Sequence, residues 1–431
     1  MSIATIIICI FISYYFIGGI ITIIGSIFTT LKILKYKRRE FKNTLKNNFV
    51  ILLPVFHEQS IIEETLNYYN TNFKSNNLKI IIIASEREKG KITTYDLAKK
   101  YINKYDTTSL FTLIKAPAKF EGKVGQLNYA LEFGNISKDK IIAVYDVDSR
   151  PSKNIIKIVD DLIEKNKNVN VFQQVSNYCN NLNKVTGLNS ILSISDAFTQ
   201  TKWALGFEYP LYAIYNNRVL TGKIRPLVYC IGHGLFVKNS FLNKIGGFPI
   251  INKNDDLSFG YLLSTLGEPL IPIPDLDVCN ISFNFIETIK QYEFWSKGSN
   301  SFYKDIKFYE KKYNVNLSKM QRILFKLQGN LRNMLWAWRG FIWLLLMLIS
   351  VLIDKKLTFF CLISLLIYTA LPQIVVYIEL KIISKIHLKN ATLGIIFSPL
   401  NLLFRGIGPS ISLLNKIFKI NKKIDYKSSR K

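Results

Sequence analysis

The sequence predicts an α/β protein on a mostly parallel sheet, with transmembrane helices at both ends. Three observations carry this: short apolar runs alternating with amphipathic stretches, charge-poor apolar blocks near both termini, and a basic cluster after the first block. Composition agrees. The 431 residues are 49% hydrophobic and 20% charged, which excludes a disordered or collagen-like chain. A mean hydropathy of +0.16 is too apolar for a soluble enzyme of this size and too low for a chain that is membrane throughout.

Ile3 to about Phe28 lacks any charged residue and is long enough to cross a hydrocarbon core of roughly 30 Å. Its apolar part is about twice a signal peptide's, and no basic n-region precedes it, so it is a retained anchor. Lys32, Lys35, Lys37, Arg38, Arg39, Lys42 and Lys46 follow, which sets that flank in the cytoplasm. Leu335 to Ile353 and Leu357 to Leu380 read as a hairpin through the bilayer, with Lys381, Lys385 and Lys389 at its cytosolic end. Pro399, Arg405, Gly406, Gly408 and Pro409 break the last block, Ala391 to Phe418, into a kinked span or a re-entrant element. The expected organisation is an anchor at 1–30, a cytosolic domain at 44–330, a membrane region of two or three apolar segments at 335–418 and a basic tail at 419–431.

The net charge of +27 suits an anionic membrane surface or a nucleotide phosphate. Nucleic acid is not expected, because the lysines are scattered and no nucleic-acid module is present. Five cysteines, an odd number, give no disulfide framework, and three dispersed histidines give no histidine-based metal site.

Between the membrane segments, Asn48 to Pro54 is a strand that stops at a proline, and Ile61 to Tyr69 after it is helical. Lys79 to Ala84, Leu110 to Ile114 and Ile141 to Tyr145 repeat the pattern, with a helix over Thr93 to Tyr105. In such sheets ligands bind beyond the carboxyl ends of the strands, which draws attention to His57-Glu58, Ser85-Glu86 and Asp146-Val-Asp148.

Strand alternation sets Asp146 and Asp148 on one side of the chain, where two carboxylates can hold Mg²⁺ or Mn²⁺ together with substrate phosphate oxygens. Lys119 to Leu131 places a basic, glycine-containing turn before a helix and offers Lys123 and backbone donors to phosphate; a solvated basic loop is the plainer account. In Tyr229 to Val237, Gly232-His233-Gly234 interrupts a strand where glycine permits close backbone approach. Asp255-Asp256 opens a helix, either as capping acids or with one as a general base. Gln291-Tyr-Glu-Phe-Trp295 lies on a helix heading for the membrane, where interfacial tryptophan is common.

In order and spacing these motifs resemble the membrane-anchored family 2 glycosyltransferases, which include the cellulose, chitin and hyaluronan synthases. The resemblance covers about residues 48 to 300. It implies a GT-A-like nucleotide-diphospho-sugar transferase domain and inverting transfer from a nucleotide diphosphate sugar, first of all a UDP-sugar, to a saccharide or lipid-linked acceptor. It also implies a divalent cation on Asp146 and Asp148, donor contacts from Glu58, Glu86 and Lys123, and acceptor contacts from His233, Gly234, Gln291 and Trp295. Asp256 becomes the catalytic base, with Asp255 beside it. The setting implied is an inner-membrane protein with its catalytic domain in the cytosol, touching membrane lipid. Phe294 stands where the family carries an arginine, which favours a single addition over a processive synthase. A rival of another class is a basic membrane protein that binds anionic lipid or a partner without catalysis.

Overall fold

The computed structural model describes all residues except 1, 42–43, 74, 183–186, 218–223, 252–253, 283, 385–390 and 419–431. The expected basic tail, and Lys42, Lys385 and Lys389 of the flanking clusters, lie outside the described residues.

Among the described residues, eight strands form one sheet: β1 (Phe49–Pro54), β2 (Leu78–Ser85), β3 (Phe111–Ala116), β4 (Ile141–Val144), β5 (Arg150–Pro151), β6 (Val171–Asn177), β7 (Leu235–Lys238) and β8 (Leu270–Val278). Their spatial order is β3-β2-β1-β4-β7-β6-β8-β5. The half from β3 to β4 is parallel, as the apolar runs predict. The other half is mixed: β7 is antiparallel to both neighbours, β8 runs parallel to β6, and β5 is antiparallel to β8. The sheet is thus mostly parallel, as read from sequence, with β5 and β7 antiparallel to their neighbours. Of the Tyr229 to Val237 stretch, only Leu235 onward is strand.

Both faces of the parallel half are covered, so its strands are apolar on both sides. Phe49, Ile51, Leu53, Ile80 and Ile82 face one core, closed by the Ile62–Asn72 and Ile155–Lys165 helices. Val50, Leu52, Ile81, Ile83 and Val144 face a second core that also takes in Ile33, Val376, Leu380 and Ile383 from the apolar helices. The sheet and the helical layer thus share a core on one side.

Among the described residues, three helices are long and apolar enough to cross a membrane: Ile3–Lys37, Lys319–Ile353, and Lys355–Ser384 with a break at Thr369. Ile10, Ile17, Ile21, Ile24 and Leu31 on the first are more than half exposed, an apolar surface suited to lipid. The block from Ala391 divides into Ala391–Ile396 and Ser398–Ile417, with Pro409 inside the second helix.

A short π-helical segment, Ala204–Glu208, lies against the first helix. Gly25 and Gly206 meet there without side chains, and a Cβ at Gly206 would stand 2.6 Å from both Cγ2 and the carbonyl oxygen of Thr22. Backbone cannot give way cheaply. Gly206→Val should cost about 1–3 kcal/mol, read as a melting temperature several degrees below that of the native protein; an unchanged melt would mean that the two helices can separate freely here.

Candidate active site

At the end of β4 the chain turns, and Ser149 N donates to the Asp146 carbonyl at 3.0 Å. Asp146 and Asp148 therefore stand on a turn and not in a strand, and their side chains find different partners. Asp146 is half-buried and pairs with Lys123 Nζ at 2.5 Å. Asp148 is only 1% exposed, and its Oδ2 accepts from Asn280 N at 3.1 Å. Lys123 sits in the first turn of the Gly122–Phe133 helix, after Gly122 at φ +68°. Gln126 fixes that helix to the sheet by donating to the carbonyls of Val55 and Ile83 at 2.9 and 2.6 Å.

Lys123 Nζ also donates to the Gly232 carbonyl. A Cβ at Gly232 would stand 3.1 Å from Asp256 Oδ2 and 3.2 Å from Lys123 Nζ. Glycine is thus what lets the Asp255–Leu266 helix bring its first turn up to Lys123 and Asp146. Asp256 Oδ1 accepts from Leu257 N at 2.8 Å, which occupies one of its oxygens while the other faces Gly232. Enclosure of the site raises both acids above the usual carboxylate range. Asp255 is pushed up to about 7, by burial and by the charge of Asp256. Burial works against the Lys123 ammonium, but Asp146, Asp255 and Asp256 outweigh it and hold the proton on.

His233 is 7% exposed and belongs to the layer beneath. Its Nδ1 lies 2.8 Å from Asp277 Oδ2, which also accepts from Ser149 Oγ at 2.7 Å and Cys279 Sγ at 3.3 Å. The ligand atoms of His233, Asp277 and Cys279 fall within 4.8 Å of one another and could hold a metal ion. Burial lowers the His233 pKa, yet its hydrogen bond to Asp277 and that carboxylate's charge more than compensate, and the net direction is up. A raised histidine contributes stability that is complete below its unfolded pKa and is lost as pH rises through the folded one. Asp277→Asn should cost about 3–5 kcal/mol in mildly acidic buffer and less at pH 8.5; equal losses in melts at both pH values would show that the pair carries no charge. Gly234 has φ +65°, and a Cβ there would lie 2.8 Å from Gln174 Cβ, so it serves the close approach of this loop to β6.

Gln291 and Trp295 lie half-buried on the Phe285–Asn300 helix. Asn254, which precedes the acid pair, donates to the carbonyls of Phe294 and Trp295 at 3.1 and 3.2 Å, and the missing side chain of Gly298 gives it room. The tryptophan helix is thereby docked on the start of the Asp255 helix. Trp295 packs edge-on to Tyr292 at 5.5 Å.

Glu58 follows β1 and is 8% exposed, with its amide donating to Thr94 Oγ1 at 2.9 Å. Glu86 is exposed after β2, and its Oε2 accepts from Ala118 N at 3.2 Å in the loop leading to Lys123. The buried acid of that region is Glu88, which accepts from Gln59 Nε2, Thr94 N and Thr94 Oγ1 at 2.7, 2.7 and 2.8 Å. Its two-residue offset from Glu86 gave no signal in the sequence. Glu208 is a second acid outside the motifs. It lies in the π-helical segment, accepts from Tyr229 Oη at 2.9 Å and is raised to about 7 by burial.

Residues 50–222 match the family model described as glycosyl transferase family 2. No curated protein matches the sequence. Among solved structures the chain is similar to the mannosyltransferase PcManGT from Pyrobaculum calidifontis in complex with GDP-Man and Mn²⁺, at 13% identity and a TM-score of 0.49, over 97% of this chain and 100% of that one. It is also similar to glucosyl-3-phosphoglycerate synthase from Mycobacterium tuberculosis in complex with Mn²⁺, UDP and phosphoglyceric acid, at 12% identity and a TM-score of 0.33, over 55% and 71% of the two chains.

Proposed function

We propose that this family 2 glycosyltransferase, with its family region at residues 50–222, moves one sugar from a nucleotide diphosphate sugar to a saccharide or lipid-linked acceptor, with inversion. One observation carries the reading: Lys123, paired with Asp146, and Asp256 Oδ2 converge on the space that a side chain at Gly232 would fill. The departing diphosphate needs positive charge, and the acceptor hydroxyl needs a base in a position to take its proton as it attacks the anomeric carbon. Lys123 meets the first need in part, and Asp256 Oδ2 the second.

The donor set also fits a hard divalent cation. Asp146 and Asp148 offer carboxylate oxygens from one turn, and Asp146 already neutralises a cationic group, the Lys123 ammonium. These two residues would hold Mg²⁺ or Mn²⁺, which would supply charge neutralisation to the leaving diphosphate. The His233, Asp277 and Cys279 group is a weaker candidate for this ion, since it contains a soft thiol and its members bond one another in the interior. Trp295 offers a stacking face to an acceptor sugar, and Gln291 and Gly234 belong to the same acceptor side. Glu58 and Glu86, at the ends of β1 and β2, stand where a nucleoside binds in sheets of this kind.

In this reading the apolar helices anchor the enzyme in the inner membrane with residues 44–330 in the cytosol, a side supported by the lysines and arginines after the first helix. The test is incubation of the purified protein with labelled UDP- and GDP-sugars, Mn²⁺ and a membrane lipid extract. The expected product is a lipid-extractable species carrying a single sugar. A ladder of lengths would move the reading to a processive synthase, and no transfer from any donor would overturn it.

A further inference from the structure

The helices that pack beside the site enclose a partly open cleft that the proposed sugar transfer leaves unused. It lies between the Leu188–Trp203, Phe285–Asn300 and Ser398–Ile417 helices and is walled by Leu192, Phe285, Tyr292 and Phe404. Its charged groups are Asp196 and Arg405, whose side chains are 5% and 15% exposed, with Nη1 and Oδ1 3.6 Å apart. That separation is an ion pair without a hydrogen bond.

Asp196 is already satisfied. Tyr292 Oη donates to its two oxygens at 2.6 and 2.8 Å, and Gln200 Nε2 donates to Oδ2 at 2.9 Å. Arg405 is not. Its guanidinium lies 4.9 Å over the Tyr292 ring, and the enclosed Nη1 has no hydrogen-bond partner among the described residues. A guanidinium carries five N–H donors, and leaving them unmet away from water is costly.

The surroundings add positive charge. Lys202, on the same helix as Asp196, is 7% exposed and lies within electrostatic reach of Arg405 and Arg339. It donates to the Tyr368 carbonyl at 3.2 Å, and Arg339 donates to the Tyr368 hydroxyl; neither contact is with an acid. Glu208, the other acid that senses Arg405, is engaged by Tyr229. Burial pushes the Lys202 ammonium down to about 7, so the lasting charge at the cleft is that of Arg405, which faces one aspartate whose oxygens are already bonded, and an anion is the missing partner. The same helices present large apolar groups outward, with Ile286 61%, Leu400 41% and Phe397 36% exposed beside the cleft-lining Phe285, Asn401 and Phe404 segments. An anion carrying an apolar tail fits such a setting better than a free one.

We propose that this cleft binds the phosphate headgroup of a membrane lipid, with Arg405 as its principal ligand and the tails lying along the Ile286 and Leu400 surface. A guanidinium takes two phosphate oxygens at once, which supplies the acceptors Arg405 lacks. The site is separate from the donor site but structurally joined to it, since Tyr292 in the cleft wall lies one helical turn before Trp295.

The test uses the full-length protein in neutral detergent without nucleotide sugar, so that failure of the transferase reading does not affect it. Dioctanoyl phosphatidic acid, dioctanoylglycerol and inorganic phosphate are titrated separately and followed by native mass spectrometry. Saturable binding of the phosphatidic acid is expected, weakened at least about tenfold in Arg405→Gln, with neither control binding at the same concentrations. Leu192→Trp fills the cleft, keeps every charge and should weaken binding equally, so it carries the test if Arg405→Gln does not fold. Wild-type affinity in both variants, or equal binding of dioctanoylglycerol, overturns the site. Displacement of the lipid by inorganic phosphate at equal concentration overturns its assignment to lipid.

Discussion

Asp256→Asn should lower sugar transfer by about 10²–10⁴-fold while leaving nucleotide binding within a few-fold of native, the loss a positioned general base accounts for. The amide keeps the size of the carboxylate and one oxygen that can still accept from Leu257 N, so the helix start is preserved. What disappears is the proton acceptor that faces Gly232 and Lys123. Asp256 is itself raised by burial, so transfer should climb with pH only above the ordinary carboxylate value of 3.8. Asp255, pushed to about 7 by burial and by the charge of an already ionised Asp256, titrates after it, and Asp255→Asn should leave that limb in place. The sign for stability is opposite. A carboxyl whose folded pKa exceeds its ordinary value of 3.8 weakens the fold as pH rises from that value towards 7, so Asp255→Asn should melt a few degrees higher at pH 8 and gain less at pH 5. Full activity in Asp256→Asn, or loss of nucleotide binding together with transfer, would remove its role as base.

The parallel half of the sheet was legible because a strand covered on both faces has to be apolar on both, as Phe49 to Leu53 and Ile80 to Ile83 are. The second half was not, for two reasons. β6 buries Gln173, Gln174, Ser176 and Asn177, whose polarity disguises a core strand. The two glutamines are satisfied inside: Gln173 donates to the His233 carbonyl at 2.9 Å, and Gln174 accepts from Tyr145 Oη at 2.8 Å. β8 contains Pro272 and Pro274, which argue against a strand by every local rule. Its Asp277 and Cys279 could not be paired with His233 from a distance of more than forty positions, and so the buried layer beneath the site stayed hidden.

Within the site, residue types were readable and their partners were not. Alternation set Asp146 and Asp148 side by side only on the assumption that the strand continued past Tyr145; the turn there sends one to Lys123 and the other to Asn280. Hydropathy marked the membrane helices where they are free of charge. It missed the start of the Lys319–Ile353 helix because Lys319, Arg322, Lys326 and Arg332 occupy its first turns, although the backbone is continuous through them.

Removal of the Asp148 carboxylate should have the second large effect, on the donor instead of the acceptor. Native protein should bind a nucleoside diphosphate much more tightly with Mn²⁺ or Mg²⁺ than without, and Asp148→Ala should lose that dependence, at a cost of several kcal/mol or about 10²-fold or more in affinity. Because Asp148 is 1% exposed and accepts from Asn280 N, the alanine variant also strands a buried amide. Asp148→Asn separates the two effects, since it keeps an acceptor for Asn280 and discards the charge that a hard cation requires. Both variants should therefore fail in metal-dependent binding, and the asparagine variant should melt closer to native. Cys279→Ser provides the contrast. It deletes the soft ligand of the His233 and Asp277 group and leaves the turn at Asp146 intact, so metal-dependent nucleotide binding should persist. If instead Cys279→Ser abolished the metal dependence and Asp148→Asn retained it, the cation would belong to the buried group, and the two aspartates would serve to hold Lys123 and Asn280 in place.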